Sequence, residues 1–146
     1  MNIAIACDHG GYELKMKVKE HLLALGHEVS DFGCDSLDSC DYPDFGVPAA
    51  RAVAAEICDT GIVICTTGIG ISIAANKVNG IRCALCGDTA SARLTRQHND
   101  ANMLALGAGM TGPVLALEIV DTFLNTAFEG GRHQRRVDKI MEAEKD

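Results

Sequence analysis

Residues 61–77 read GIVICTTGIGISIAANK: an apolar run, a cysteine, a glycine-rich turn and a helix-like segment. The order sets a thiol, Cys65, beside a turn whose backbone N–H groups open a helix. Three chemistries suit it: a dinucleotide site, a thiol that carries a phosphate, or a cradle for an anion made during catalysis. The first needs G-x-G-x-x-G on the opening strand of a βαβ unit. Here Gly68-Ile69-Gly70-Ile71-Ser72-Ile73 lacks the third glycine and follows a later strand, and no G-x-x-x-x-G-K-[ST] occurs. The second needs an arginine six positions after the cysteine, where this chain has Ile71. The third needs only successive N–H groups at a helix N-terminus. Gly68 and Gly70 permit close approach, and Thr67 and Ser72 add hydroxyl donors. A thiol there serves as nucleophile or base where a helix N-terminus lowers its pKa from about 8.5; a packed strand cysteine is the plain alternative.

A second group lies late in the chain. GGRHQRR carries three arginines and a histidine in seven residues of a protein with net charge −7. A basic patch on an acidic chain suits one small anion, and a solvated helix face explains it equally well. The net charge argues against a nucleic-acid surface, and with no Trp and 4% aromatics there is no stacking platform for bases. No apolar run reaches the roughly 18 residues of a membrane helix. The start, MNIAIACDHGG, has no basic n-region, so no export signal is expected and a reducing cytoplasm is the expected location. Seven cysteines, an odd number lying mostly in apolar runs, then read as buried thiols and not as a disulfide scaffold.

The elements that position these groups alternate regularly. Strands are expected at 2–7, 27–32, 61–65, 81–86 and 102–107. Helices are expected at 11–26, 44–57, 70–78, 89–98, 112–125 and 135–145. Strands too apolar to alternate are buried on both faces, which implies a five-stranded parallel sheet between helices. Right-handed crossovers make it a doubly wound, Rossmann-like α/β/α sandwich, one domain over 1–146. Ligands bind such sheets beyond the carboxyl ends of the strands, which gathers Asp8, His9, residues 65–72 and Asp88. CALC (83–86) has C-x-x-C spacing, but i and i+3 on a strand point to opposite faces, so no metal site is expected. Cys34, Cys40 and Cys58 read as incidental, and His21, His27 and His133 carry no assignment.

Five stretches together resemble one family over essentially the whole chain: ACDHGGYELK, DYPDFG, CTTGIGISIAANKVNGIR, SARLTRQHNDANMLALG and EGGRHQRRV. This is the ribose-5-phosphate isomerase B / galactose-6-phosphate isomerase family. The resemblance implies a cofactor-free and metal-free interconversion of an aldose phosphate and a ketose phosphate, ribose 5-phosphate and ribulose 5-phosphate foremost, through an enediolate. It implies Cys65 as the base, with Thr67 beside it, and His98 in ring opening. The anion hole would be formed by Gly68, Ile69, Gly70, Ile71 and Ser72, assisted by Asn99. Arg132 and Arg136, at i and i+4, would clamp the phosphate with His9, while Asp8 and Tyr42 meet sugar hydroxyls. It also implies a homodimer, or a tetramer, with shared sites, the C-terminal helix at about 131–145 packing on the partner subunit. From the residues alone, His98 also reads as a helix C-terminal cap, His9 as a turn residue and Asp8 as an N-cap.

Two positions depart from the family's pattern. Thr66 stands where CGTG is common, and Gly109 where many members carry an arginine that touches phosphate in some of them. These departures keep open a six-carbon aldose phosphate such as allose 6-phosphate, or a free sugar. A flavodoxin-like domain that binds a sugar phosphate without turnover is the rival from another class.

Overall fold

The computed structural model describes residues 1–145. Five strands form one parallel sheet: β1 (Asn2–Cys7), β2 (Glu28–Asp31), β3 (Thr60–Cys65), β4 (Cys83–Leu85) and β5 (Met103–Gly107), in the order β2-β1-β3-β5-β4. The helices are α1 (Tyr12–Ala24), α2 (Pro43–Ala54), α3 (Ile69–Asn76), α4 (Thr89–Asn99), α5 (Pro113–Leu124) and α6 (Arg132–Glu142). The expected doubly wound three-layer architecture is therefore the observed one.

The strands are apolar on both faces because both faces are covered, but the two faces differ in size. Ile3, Ile5, Ile62, Ile64, Leu104 and Leu106 point to one side, where Leu14, Val18 and Leu22 of α1, Ala92 of α4 and Ile119 and Phe123 of α5 meet them. Ala4, Ala6, Val63, Cys65 and Ala105 point to the other, against Ala49, Ala50 and Val53 of α2 and Ile71 and Ala75 of α3. Small side chains on sheet and helix alike let α2 and α3 lie close to the strands. Each fully buried Ile or Leu contributes about 1.5–3 kcal/mol relative to exposure.

Element ends depart from expectation for local reasons. β4 is confined to 83–85, not 81–86, because asparagine side chains replace the ladder before it: Arg82 N–H donates to Asn102 Oδ1 at 2.8 Å and Cys83 N–H to Asn76 Oδ1 at 2.8 Å. α6 begins at Arg132, not 135, because Gly130 and Gly131 both take positive φ (66° and 56°) and turn the chain straight into the helix. It ends at Glu142, and a 3-10 turn continues over Ala143–Lys145.

β1 is followed by a move to β2, and β3 by a move across β5 to β4. The carboxyl ends of β1 and β3, paired at Cys7 and Ile64, are therefore the topological switch point.

Candidate active site

The switch point collects one half of the expected residues. Asp8, buried, caps the 3-10 turn His9–Gly11 by accepting the Gly11 N–H at 3.1 Å. His9 Nδ1 accepts the backbone N–H of Cys40 at 3.2 Å. The proton of the neutral ring therefore sits on Nε2, which becomes a donor for whatever approaches. Cys40 thus orients the His9 ring through its amide, a contribution its residue type gives no hint of.

Cys65 ends β3 and is nearly buried; its Sγ accepts the Gly68 N–H at 3.1 Å. Gly68 takes φ 77°, and a Cβ there would lie 2.8 Å from the Leu106 carbonyl carbon, so only glycine makes this turn. Of the five amides expected to face an anion, three are already bonded. Gly68 N–H holds Cys65 Sγ, Ile69 N–H donates to Thr67 Oγ1 at 3.2 Å, and Ser72 N–H donates to Gly68 O at 3.2 Å. The Ser72 hydroxyl turns back to Ile69 O at 2.7 Å. The amides of Gly70 and Ile71 have no acceptor among the described residues. Two N–H groups, not five, are therefore left free at this turn. Thr67 Oγ1, which accepts from Ile69, keeps its own proton free to donate. The Tyr42 ring lies over Gly70, where a Cβ would come within 2.6 Å of its Cζ, so Tyr42 borders the same opening. Ala108 N–H to Cys65 O at 2.9 Å and Gly109 N–H to Thr66 O at 2.8 Å lace the loop after β5 to this turn.

The two departures from the family pattern touch each other. A Cβ on Gly109 would lie 3.1 Å from Thr66 Cγ2, and one on Gly10 would collide with Thr66 Oγ1. Thr66 thus fills the wall between the turns after β1 and β5.

The other half of the expected residues lies elsewhere in the chain. His98 sits near the end of α4, just ahead of the first residues of β5, whereas Cys65 pairs with Gly107 at the last. Four residue steps of strand, about 13 Å, separate those levels. One chain does not bring Cys65 and His98 together. His98 stacks on His133 of α6, with ring centroids 4.3 Å apart and planes inclined by 14°. His133 and Val137 are buried and dock α6 on its own chain. The expectation that this helix packs on a partner therefore concerns only its outer side, where Arg132, Arg135 and Arg136 are exposed and have no carboxylate partner among the described residues. Asn99 Oδ1 accepts from Thr95 Oγ1 at 3.1 Å on this same side.

Other charged and sulfur groups are structural. Arg96 binds Asp100 Oδ1 at 2.9 Å and Ala101 O at 2.7 Å, and Arg82 Nη2 binds Asp100 O at 2.7 Å. Lys15, 1% exposed, donates to both Asp31 oxygens at 2.8 and 3.1 Å and to Cys34 O at 2.7 Å. Burial pushes the thiols of Cys7 and Cys83 up to about 12 and that of Cys86 to about 11, so all three stay protonated at neutral pH. Cys34 is buried with its Sγ 3.8 Å from that of Cys7. A surface depression of ≈ 610 Å³ runs along the outer side of α1 and holds none of the expected site residues.

Fold and site together define a doubly wound α/β scaffold that presents a thiol and two free amides at the switch point of its sheet. The sequence profile of the ribose/galactose isomerase family matches residues 3–140. Ribose-5-phosphate isomerase B of Escherichia coli (strain K12) is 50% identical over 142 residues, covering 97% of this chain and 95% of its own. The structure of Clostridium thermocellum ribose-5-phosphate isomerase B superposes with a TM-score of 0.98 at 57% identity, covering 99% of this chain and 98% of that one. That of Mycoplasma genitalium ribose-5-phosphate isomerase B with bound ribulose-5-phosphate gives 0.96 at 46% identity, covering 99% and 97%. The chain belongs to the ribose/galactose isomerase family. Among the described residues no helix is long and apolar enough to cross a membrane.

Proposed function

We propose that this chain interconverts ribose 5-phosphate and ribulose 5-phosphate in the cytoplasm, without metal or cofactor, at a site completed by a second copy of itself. The observation that carries the reading is the Cys65 sulfur fixed beside the two free amides of Gly70 and Ile71. Cys65, as thiolate, takes the proton from C2 of the open aldose. The C2–H electron pair forms the C1–C2 double bond, and the carbonyl oxygen on C1 becomes the anion. The Gly70 and Ile71 amides and the Thr67 hydroxyl donate to that oxygen; preorganised donors of this kind are each worth roughly a hundredfold or more. The C2 hydroxyl proton passes to the C1 oxygen, and return of the carbon-bound proton from Cys65 to C1, as the C2–O bond becomes a carbonyl, gives the ketose. His98 carries the proton that opens the furanose, Arg132, Arg136 and His9 hold the phosphate, Asn99 assists at the anion, and Asp8 and Tyr42 meet the sugar hydroxyls.

Because Cys65 and His98 lie at different levels of the sheet, the site is shared between two copies. Ile69 and Ile73, on the outward face of α3, and Leu85 and Met110 near the cradle are all exposed and form an apolar surface for that contact. Turnover of chelator-treated protein on ribose 5-phosphate tests the activity, and no ribulose 5-phosphate formed would overturn it. Allose 6-phosphate belongs in the same assay, because the Thr66–Gly109 contact reshapes the wall beside the cradle. Mixing inactive C65A and H98A chains tests the sharing. Random reassortment into two-fold dimers restores roughly a quarter of wild-type activity per chain, and no recovery from exchanged dimers would exclude a shared site.

A further inference from the structure

The His98–His133 stack is the feature of the α4–α6 corner that the reaction above does not use. The His133 ring is buried with Val137 on the inner side of α6, and the His98 ring is half-buried against it. Neither ring has a hydrogen-bond partner among the described residues, while other polar side chains of α4, Thr95 and Arg96, do. A terminal imidazole torsion is broad when nothing restrains it, so the face-to-face contact at 4.3 Å is what sets the plane of His98.

The charges around the pair act in one direction. From α6, Arg132 and Arg136 face His133; from α4 the facing group is His98; from the preceding loop Glu129 opposes them. Burial first, then His98 and Arg132, hold the His133 imidazole below its ordinary pKa, so it is neutral at pH 7 and does not repel a proton on His98.

We propose that His133 is a positioning residue for His98: its buried ring is the platform that fixes the plane of the His98 imidazole, and with it the direction of the nitrogen that moves the ring-opening proton. The inference rests on the ring-opening role given to His98 above. It explains why a histidine whose ring has no hydrogen-bond partner among the described residues is buried at the root of the arginine pair.

Three variants test it. H133F keeps a flat ring in the same volume, H133L keeps apolar volume without a flat face, and H98A removes the group being positioned. With ribose 5-phosphate, H133L is expected to lose about tenfold in kcat, part of the 10²–10⁴-fold that a positioned acid–base group supplies, with KM unchanged. H133F is expected to stay within about twofold of wild type, since the platform remains. Erythrose 4-phosphate, whose esterified O4 cannot close a furanose, needs no ring opening, so H133L should turn it over like wild type. Equal activity of H133L and H133F on ribose 5-phosphate would overturn the proposal. So would a raised KM with unchanged kcat, or an equal loss on the four-carbon sugar. Unimpaired ribose 5-phosphate turnover by H98A would instead remove the role of His98 on which the inference rests.

Discussion

At the carboxyl end of the sheet Cys65, Gly68 and Asp8 are buried and bonded within the chain, whereas at the α4–α6 corner Arg132, Arg135 and Arg136 stand in water with no carboxylate partner among the described residues. The first region is preorganised: folding alone fixes the sulfur and leaves two amides pointing outward. The second is anchored by His133 and Val137, but its arginines have no carboxylate to bind among the described residues. The contrast teaches that one chain can hold a bonded, preorganised turn and an unpaired basic surface in different places; under the function proposed above, assembly joins the two.

The comparison is broken most severely at the sulfur. C65A is expected to lose about 10³-fold or more in kcat, in the upper range of a general base, with binding of an unreactive sugar-phosphate analogue intact by calorimetry. Near-normal turnover would mean that the cradle works without its thiol. The clamp sharpens the contrast from the other side. R132A and R136A should each raise KM for ribose 5-phosphate by roughly 10–100-fold, the worth of one or two charge-assisted hydrogen bonds, with little change in kcat. An unchanged KM in both would leave these arginines as solvated surface.

The smallest effect on activity is expected at Lys15, which supports the fold beneath the site. K15M should leave room-temperature kcat unchanged. It should lower stability by about 3 kcal/mol, the lower end for breaking a buried pair, because the Asp31 side chain keeps 19% exposure. Burial pushes the Asp31 carboxyl up, but the bonds from Lys15, the Gly33 amide and Lys19 outweigh it and hold the group below its ordinary range. The sign follows: the pair's contribution is present above the unfolded value of about 3.9 and fades as pH falls through the lower folded value. Denaturant melts of wild type and K15M from pH 7 to pH 2 should therefore converge at the acid end, and parallel curves would count against the ion pair.

Much of this architecture was legible in the sequence, because buried parallel strands leave continuous apolar runs and helices leave spaced ones. NIAIAC gave β1 to the residue, and the Gly68 turn marked the start of α3. Strand order is not legible: no residue type encodes that β5 lies inside and β4 at the edge. The ends of β4 are not legible, because Asn76 and Asn102 substitute side-chain amides for a ladder within an apolar run. Within the site, residue types pointed to Cys65, His98 and the arginines through their motifs. They did not show which amides were already bonded, because that depends on the local path of the turn. His133 carries no assignment from the sequence, although His133 and Val137 have the i, i+4 spacing of a buried face, because three arginines around it mask that face. Cys40 left no signal, since its contribution is an N–H that any residue there except proline would carry.

The contact between Thr66 and Gly109 also limits the order in which the site can change. A side chain at 109 must push against the Thr66 methyl and carbonyl, both 3.1 Å from its first carbon, while a glycine at 66 would remove the methyl and leave only the carbonyl. An arginine introduced at 109 should therefore be tolerated poorly alone and better after T66G. The two positions are expected to behave as a non-additive pair, so that a lineage exchanging one arrangement for the other travels by one step order more readily than the reverse.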